Sequence, residues 1–337
     1  MFLPLNDKVE LYSPCREFGN SMFGTYKLRK SLERKILGKS GWPARLLRGV
    51  LPFSEPWKRS SLDIVRPSGI GDVLLATPVL REIKKLNPEI RIRFFTKLPS
   101  LVQGLPFIDE VHTMDQCPPN AYRLRYEDAV PTSFHLTRIF GDCIGVNVSD
   151  ITPECMVRND LVDSYRGQWG QGPHVVALFR ASQFTPNKDW PIESWDRLIA
   201  RLSKNVHVIL IGDKPVPDQD IAESDRYTDL RGKTDLENLT AVIAAANLYV
   251  GPVSGPSHIA SALDVPSVVI CGGYEAPHNG GYPNSVFLSR TPLCSPCWLR
   301  TPCPHNLECL TSITVDEVEH SIMDGLRRDI PVKNPPA

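Results

Sequence analysis

Two short glycine-rich segments carry residues that suit the binding of a phosphorylated ligand. The first is Gly69-Ile70-Gly71-Asp72, in which two glycines and a carboxylate stand where a helix is expected to begin. The second is GPVSGPSHIASAL at residues 251–263. Glycines let the backbone approach a ligand closely, and the free amides at a helix start favour negative charge. Both segments are therefore candidate parts of a site for a phosphate-containing substrate.

The first segment does not match the dinucleotide-binding fingerprint. The G-x-G-x-x-G pattern fails because Leu74 stands where the third glycine is required, which weakens the case for an NAD-dependent enzyme. Asp72 has two interpretations. It caps the helix, which is the common role of an Asp there, or its carboxylate takes part in chemistry.

The second segment predicts a cradle for phosphate around the start of a short helix. Ser254, Gly255, Ser257 and the first-turn amides are its candidate donors, and Pro256 is tolerated because early helical amides have no partner. His258 stands at the same end and is a candidate donor to a phosphate oxygen. The alternative is an ordinary strand–turn–helix junction with a packed or exposed histidine.

Four of the nine cysteines fall within sixteen residues, at Cys294, Cys297, Cys303 and Cys309. The first pair has the two-residue gap of a metal knuckle, and four thiolates suit iron or Zn²⁺ in tetrahedral geometry. Four protein ligands leave no open position, so the predicted role is structural. The alternative is a set of reduced cysteines in a proline-rich loop. The other five cysteines are scattered and predict no disulfide framework.

The elements that must position these residues follow an α/β pattern. A strand over Leu62–Ser68, a helix from Val73 that ends before Pro88, and a strand over Ile90–Thr96 predict a βαβ unit and a parallel sheet. Pro78 lies inside the helical pattern and predicts a kink. The first glycine-rich segment is thus the turn between a strand and its helix.

The alternation restarts in the second half of the chain. Strands over His174–Phe179 and Val206–Gly212 flank a helix over Ser194–Leu202, and TDLE at residues 234–237 has the form of a capping box. The irregular stretch Ser164–Pro173, rich in Gly and Gln, predicts a linker. Two α/β halves in series predict a cleft, with ligands at the carboxyl ends of the strands.

Composition agrees with a two-domain globular protein. The 337 residues are 42% hydrophobic and 23% charged, and no apolar run approaches the roughly 20 residues that span a bilayer. The first residues lack the features of a secretory signal, so a cytoplasmic protein is expected. The formal net charge is zero, which argues against binding to nucleic acid.

Residues 1–60 form a basic leader that is predicted to be partly helical. They hold 12 Lys and Arg against 5 Asp and Glu, whereas the remainder holds 26 against 33. Residues 26–48 mix these bases with Leu, Ile and Trp, which suits peripheral contact with anionic lipid at the inner face of a membrane, or with a phosphorylated acceptor. The alternative is a solvated helix that packs on the body by its apolar stripe.

Three motifs in one order resemble glycosyltransferase family 9, the heptosyltransferase-like enzymes. They are RPSGIGDVLLATPVLREIKKLNP, NKDWPIESWDRLIARL and LRGKTDLENLTAVIAAANLYVGPVSGPSHIASALDVPSVVICG. The resemblance covers most of residues 62–320. It implies a GT-B architecture, with two Rossmann-like domains facing across a cleft, and inverting transfer, usually from ADP-heptose, without a catalytic metal. We therefore expect an acceptor domain over residues 61–165 and a donor domain over 166–337 that includes the Cys-rich loop 294–309.

The resemblance also implies roles for individual residues. Asp72 falls on the family's general base, Lys188 on its phosphate-binding lysine, and Ser254–His258 on its second phosphate contact. Inversion needs a base on the face opposite the leaving diphosphate, while Lys188 and helix amides are expected to stabilise the departing charge. Gly71 is expected to border the donor. Asp72 is expected to be ionised and weakly basic because it stands at a helix start.

Further details follow from the same resemblance. Ser182 and Thr185, which precede Lys188, are expected to add hydroxyls to the phosphate site. The family usually has an Asp just before the Ser-Gly of its donor loop, and this chain has Val253, so different sugar contacts or a different donor are open. The four clustered cysteines are similar to the iron site of the autotransporter heptosyltransferases.

Two other functions stay open at this point. A sugar-nucleotide epimerase on the same architecture would consume donor without an acceptor. A non-catalytic sugar-nucleotide-binding subunit would bind donor without turnover. The acceptor (a lipopolysaccharide core, a protein hydroxyl or a small glycoside) and the oligomeric state, a homo-oligomer included, are not set by the sequence.

Overall fold

The computed structural model describes residues 55–67, 69–180, 185–213 and 227–327. Most of the basic leader, with the predicted lipid contact of residues 26–48, lies outside the described residues, as does Ser182. No helix in the part of the chain that the structure describes is both long and apolar enough to cross a bilayer.

The front half is built on a four-stranded parallel sheet with the order β3-β2-β1-β4. Its strands are β1 (Ser61–Val65), β2 (Arg91–Phe95), β3 (Glu110–His112) and β4 (Tyr122–Arg123), and its helices are α1 (Ile70–Leu86) and α2 (Leu136–Ile144). The register pairs Ile64 with Phe94 on one side and with Tyr122 on the other. The predicted βαβ unit is confirmed.

Helix α1 continues through Pro78 because a neighbouring side chain replaces the lost hydrogen bond. Proline has no N–H to donate to the carbonyl of Leu74, four residues earlier. The Thr77 hydroxyl donates to that carbonyl at 2.8 Å, and its oxygen accepts the N–H of Glu154 at 2.9 Å. One helix therefore spans the predicted range.

The back half is built on a six-stranded parallel sheet with the order β10-β9-β8-β5-β6-β7. Its strands are β5 (His174–Leu178), β6 (His207–Ile211), β7 (Tyr227–Asp229), β8 (Leu248–Pro252), β9 (Ser267–Cys271) and β10 (Ser285–Ser289). The accompanying helices are α3 (Asn159–Trp169), α4 (Ile192–Leu202), α5 (Leu236–Ala245), α6 (Gly255–Ala262), α7 (Pro277–Gly280), α8 (Glu308–Thr311) and α9 (Val315–Arg327). Strands β5, β8 and β9 are buried along their whole length, as expected when both faces of a parallel sheet are covered.

The two halves meet through α1 and α6. Leu74 of α1 is fully buried in an apolar cluster with Ile259 and Ala260 of α6 and Val176 of β5. This contact places the start of α1 beside the start of α6, so the two glycine-rich segments face each other.

Two local predictions differ from the structure. The stretch predicted as an irregular linker is helical over its first part, since α3 runs to Trp169 and packs Val162 against α5. Val162 is the one buried residue of α3, so the helix lacks a strong apolar period. At α5 the N-cap is Asp235, which accepts the N–H of Asn238 at 2.8 Å, so the cap begins one residue later than the predicted box.

Candidate functional site

Asp72 lies in the first turn of α1 and forms an ion pair with Arg66. Its Oδ2 is 2.7 Å from Arg66 Nη2. The N-cap position belongs to Gly69, so the capping interpretation of Asp72 is wrong. Gly69 has φ +89°, and a Cβ there would lie 2.5 Å from Asp72 Oδ2. Only glycine adopts this positive φ without strain and also leaves room for the Asp72 carboxylate.

Arg66 follows β1 directly and is 5% exposed. Its Nη1 donates to the Leu124 carbonyl at 3.0 Å and to Glu127 at 2.8 Å. Its guanidinium carbon lies 5.2 Å from the Tyr126 ring centroid and 5.1 Å from that of Phe140. A planar cation held by two carboxylates and two aromatic rings is a fixed positive charge beside Asp72.

Burial raises the pKa of Asp72 above its ordinary value, although the Arg66 guanidinium and the Tyr126 hydroxyl act in the opposite direction. The expectation of a weak base at a helix start is therefore corrected, because loss of hydration outweighs the favourable partners. A carboxylate with a raised pKa is a stronger proton acceptor once it is ionised.

The turn before α6 uses most of its own donors. Ser257 Oγ donates to Ser254 O at 2.7 Å, and Ser254 Oγ donates to Pro252 O at 3.2 Å. The amides of Ser257 and His258 donate to Ser254 O at 3.1 and 3.3 Å, and Pro256 has no N–H. Two of the amides predicted to be free donors, those of Ser257 and His258, are thus already bonded within the turn. A phosphate role for these serines stays a prediction and requires some of these bonds to open.

The two glycine-rich turns are in contact. A Cβ on Gly71 would lie 2.6 Å from His258 Cδ2 and 3.0 Å from its Nε2, and a Cβ on Gly255 would lie 2.6 Å from Ile70 Cβ. Neither position has room for a larger residue. The structure therefore brings the turn that carries Asp72 against the turn that carries His258.

His258 is buried and neutral. Burial, together with the nearby His135 and Lys188, lowers its pKa to about 3. Its Nδ1 lies 2.7 Å from the hydroxyl of the buried Tyr282. A buried hydroxyl hydrogen without an acceptor is costly, so Tyr282 donates to Nδ1 and the ring proton resides on Nε2. This tautomer directs an N–H donor toward the Gly71 turn.

Lys188 ends the short 3-10 turn Pro186–Lys188 and forms an ion pair with Glu275 through Nζ and Oε1. Its Nζ also lies 5.2 Å from the ring centroid of Tyr274. Glu275 is 5% exposed, so the pair is largely shielded from water. The cation predicted to bind phosphate is thus held by a carboxylate from the loop after β9.

A small recess with a cavity volume of about 10 Å³, partly open to solvent, lies beside this ion pair. It is lined by Lys188, Val253, Ile270, Cys271, Gly272, Tyr274 and Glu275. Val253 is buried in an apolar cluster with Val269 and Cys271. Sites for whole ligands measure about 300–1,000 Å³. The recess as it stands therefore holds no more than about one water molecule, and binding of any part of a nucleotide sugar there requires the surrounding groups to move.

Thr185 faces the Cys-rich loop. Its hydroxyl donates to Leu299 O at 3.3 Å and accepts the N–H of Asn187 at 3.1 Å. A contact with phosphate would replace the bond to Leu299, and this role stays a prediction. Ser182 belongs to the residues that the structure does not describe.

The four clustered cysteines do not form a metal site as they stand. In the described ranges, which include all four, no group of three or more His, Cys, Asp or Glu side chains is placed to hold a metal ion. The thiols are nonetheless neighbours: burial raises the pKa of Cys309, and Cys303, Cys297 and Cys294 raise it further. The predicted metal centre is therefore not confirmed.

Sequence reasoning missed the residues that surround Asp72 and Lys188. Arg66 stands at the carboxyl end of β1, where ligands of parallel sheets are expected, so this signal was present in the sequence. Tyr126 and Glu127 follow β4 in irregular chain and gave no signal. Glu275 and Tyr282 likewise lie in loops without a repeating pattern.

Comparison with known protein families decides the classification. Residues 122–301, more than half of the chain, match the family model for glycosyltransferase family 9 (heptosyltransferase). The chain belongs to glycosyltransferase family 9. The match includes Lys188, His258 and the first two clustered cysteines, Cys294 and Cys297, and it begins after Asp72.

Curated lipopolysaccharide heptosyltransferases are similar to this chain over part of their length. Lipopolysaccharide heptosyltransferase 1 of Escherichia coli K12 is 29% identical over 120 residues, which are 34% of this chain and 38% of the relative. Lipopolysaccharide core heptosyltransferase OpsX of Haemophilus influenzae is 33% identical over 100 residues, 27% of each chain. The chain thus spans less than two-fifths of the length of these curated relatives.

Solved structures of family 9 share the fold. The ADP-heptose lipopolysaccharide heptosyltransferase II of E. coli aligns with a TM-score of 0.58 and 16% identity, over 80% of this chain and 98% of that chain. The iron-containing dodecameric heptosyltransferase TibC of enterotoxigenic E. coli was solved in complex with ADP-D-β-D-heptose. It aligns with a TM-score of 0.62 and 21% identity, over 82% of this chain and 78% of TibC. The fold is GT-B, as expected, with parallel α/β sheets in both halves.

Proposed function

We propose that this chain is an inverting glycosyltransferase that transfers heptose from ADP-heptose to a hydroxyl group of an acceptor glycan or protein. The observation that carries the proposal is the contact between the Asp72 turn and the His258 turn, with Lys188 near enough to His258 to lower its pKa. A base from the front half and a cation from the back half thus lie on either side of one interface.

Membership in family 9 supports sugar transfer over the two alternatives, epimerisation and binding without turnover. Relatives support ADP-heptose as the donor, since the E. coli protein is an ADP-heptose heptosyltransferase II and TibC was solved in complex with ADP-D-β-D-heptose. The proposal keeps the roles that the resemblance implies, with the acceptor bound by the front half (expected over residues 61–165) and the donor by the back half (expected over residues 166–337).

In the proposed reaction Asp72 takes the proton of the acceptor hydroxyl. The acceptor oxygen then forms a bond to the anomeric carbon from one face of the sugar, and the bond from that carbon to the diphosphate oxygen breaks on the other. ADP leaves with the electron pair of that bond. Lys188 and the Nε2–H of His258 are the groups that stabilise the departing charge.

Arg66 and burial have opposite effects on the pKa of Asp72 in the proposed reaction. The positive charge stabilises ionised Asp72, while burial works against ionisation. The result is a carboxylate whose pKa is raised by burial, so that its ionised form is a stronger base than an ordinary Asp.

A structural iron or zinc ion on Cys294, Cys297, Cys303 and Cys309 belongs to the same proposal. It rests on the spacing of the first pair and on the mutual proximity of the thiols around Cys309. The four sulfur atoms would have to close to about 2.3 Å from a common ion. No step of sugar transfer runs through this metal.

The test is an assay of purified full-length chain with ADP-heptose, alone and with acceptors from each class. Glycosyl transfer releases ADP only when an acceptor is present and yields a product whose mass rises by one heptose, with inverted anomeric configuration by NMR. Conversion of the donor alone would establish the epimerase instead. Donor binding by calorimetry without turnover on any acceptor would favour the binding subunit.

A further inference from the structure

The Cys-rich loop (residues 294–309) contacts the loop that carries Glu275. The N–H of Cys297 donates to Gly273 O at 2.9 Å, and the N–H of Trp298 donates to Tyr274 O at 3.0 Å. Trp298 also packs against the apolar core of the front half. The loop is therefore fixed both to the wall of the recess and to the opposite half.

The other side of the same loop is held by Asn187. Asn187 is 3% exposed, and its Nδ2 donates to Leu299 O at 2.9 Å and to Thr301 O at 2.8 Å. Both hydrogens of the amide are thus used on two carbonyls of the Cys-rich loop. The hydroxyl of Thr185 adds a third bond, to Leu299 O.

Asn187 and Lys188 belong to one short turn, Pro186–Lys188. Because they are adjacent, the bonds of Asn187 to Leu299 and Thr301 fix the backbone from which the Lys188 side chain extends. The ammonium then reaches the recess on the far side of the turn, next to Glu275. The Cys-rich loop thus holds the turn from which the cation extends, and Asn187 itself is not among the residues that line the recess.

We propose that Asn187 is a positioning residue for the diphosphate of a nucleoside diphosphate, acting through Lys188 and tied to the Cys-rich loop. This inference rests on the proposed function, since it takes Lys188 as the phosphate-binding cation. It assigns the Cys-rich loop a role in donor affinity that needs no ligand contact by its own residues. Loss of the two bonds frees the turn and leaves two carbonyls without their donor.

The test is ADP binding by calorimetry to the full chain in a double-mutant cycle of Asn187→Ala and Lys188→Ala. We expect Asn187→Ala to weaken ADP binding about tenfold in the wild-type background and less than about twofold in the Lys188→Ala background, because the residue acts through the lysine. Equal weakening in both backgrounds, or no weakening in the first, would overturn the inference.

Asn87→Ala is a matched control. Its Nδ2 likewise donates to two backbone carbonyls, of Trp57 at 2.8 Å and Arg59 at 3.3 Å, at the far end of α1. It is expected to lower the melting temperature without changing ADP affinity. If Lys188→Ala alone leaves ADP affinity unchanged, the proposed phosphate role falls together with the inference; if only Asn187→Ala is silent, the inference alone falls.

A measurement on the unmodified chain covers the case in which Asn187→Ala does not fold. ADP binding should slow amide hydrogen exchange in residues 297–301, because the Lys188 turn and the Cys-rich loop are tied together. Unchanged exchange in this segment at saturating ADP would contradict the proposal.

Discussion

Gly71 and His258, which come from opposite halves of the chain, are packed so tightly that a methyl group on Gly71 would lie 2.6 Å from the imidazole. The contact joins the start of α1 to the start of α6. It makes the geometry of the candidate site depend on the absence of a side chain at Gly71.

Gly71→Ala should therefore reduce sugar transfer by about tenfold or more and lower stability by about 1–3 kcal/mol, because an overpacked interface must shift the His258 ring or the halves. Steady-state kinetics and urea denaturation measure the two effects. Gly167→Ala, in α3, is the control: its Cβ would meet nothing within 4 Å, so it should be neutral or stabilise the helix. Full activity of Gly71→Ala would argue against the tight contact.

Asp72→Asn should lower kcat about a hundredfold while ADP affinity changes little, since the substitution removes a general base and not a donor contact. In the unmodified enzyme the pKa of Asp72 is raised by burial, so activity should fall on the acid side at a higher pH than an ordinary Asp would give. A pH profile of kcat/KM measures the pH at which activity is lost on the acid side. An unchanged rate in Asp72→Asn would remove the base assignment.

Glu275→Gln should tighten ADP binding about tenfold. The Glu275 carboxylate is paired with Lys188 and therefore competes with the diphosphate for the same ammonium. Calorimetry measures the change, and it should shrink at high salt. Glu317→Gln, which removes the partner of Arg290 at 2.6 Å on another face, is the matched control. Weaker binding in Glu275→Gln would mean that the carboxylate supports the lysine instead.

Two buried histidines should make the fold sensitive to acid. Burial lowers the pKa of His258 to about 3 and that of His135 to about 4, so both are neutral in the folded protein. Their stability contribution is complete above the ordinary pKa of about 6.5 and is lost as the pH falls toward the folded values. At pH 4.5 each should cost about 3 kcal/mol.

Urea denaturation at pH 7 and pH 4.5 measures this loss. His135→Gln removes one of the two groups, so its stability should fall less between the two pH values than that of the unmodified chain. An equal fall in both proteins would show that His135 is not the source.

Elemental analysis of the purified chain should find about one iron or zinc ion per chain, and Cys309→Ser should abolish it. Cys143→Ser is the control, because Cys143 donates to Arg125 O at 3.1 Å in the front half, away from the cluster. A metal-free preparation that stays folded would end the metal proposal.

The sequence predicted those parts of the fold whose pattern is local. Helix α1 has apolar residues at helical spacing, and strand β5 is a short continuous apolar run, so local sequence predicts both. Strand β4 has two residues and exists through its pairing with β1, which no local pattern encodes. The helical start of the predicted linker was missed because α3 buries little of its surface.

In the candidate site, too, features with a local sequence pattern were predictable and features that depend on distant contacts were not. The two strand–turn–helix junctions and the rule that ligands bind at strand ends predicted a cleft, and the resemblance to family 9 implied that Asp72 and the phosphate site around His258 meet there. The pairing of Lys188 with Glu275 joins loops that are far apart in sequence, and burial of Asp72 depends on Arg66 and its aromatic neighbours. Neither distant pairings nor the balance between burial and charge can be read from spacing.

Residues 154–158, which connect the front half to the back half, make hydrogen bonds to the front half almost as far as the first contact with the back half. The N–H of Glu154 donates to the hydroxyl of Thr77 in α1, and the N–H of Met156 donates to Leu101 O at 2.8 Å. Two residues later, Arg158 forms an ion pair with Glu237 of the back half at 3.5 Å. If the halves move apart to admit a whole nucleotide sugar, we expect the chain to bend in the short segment around Val157, between its last backbone bond to the front half and its first contact with the back half.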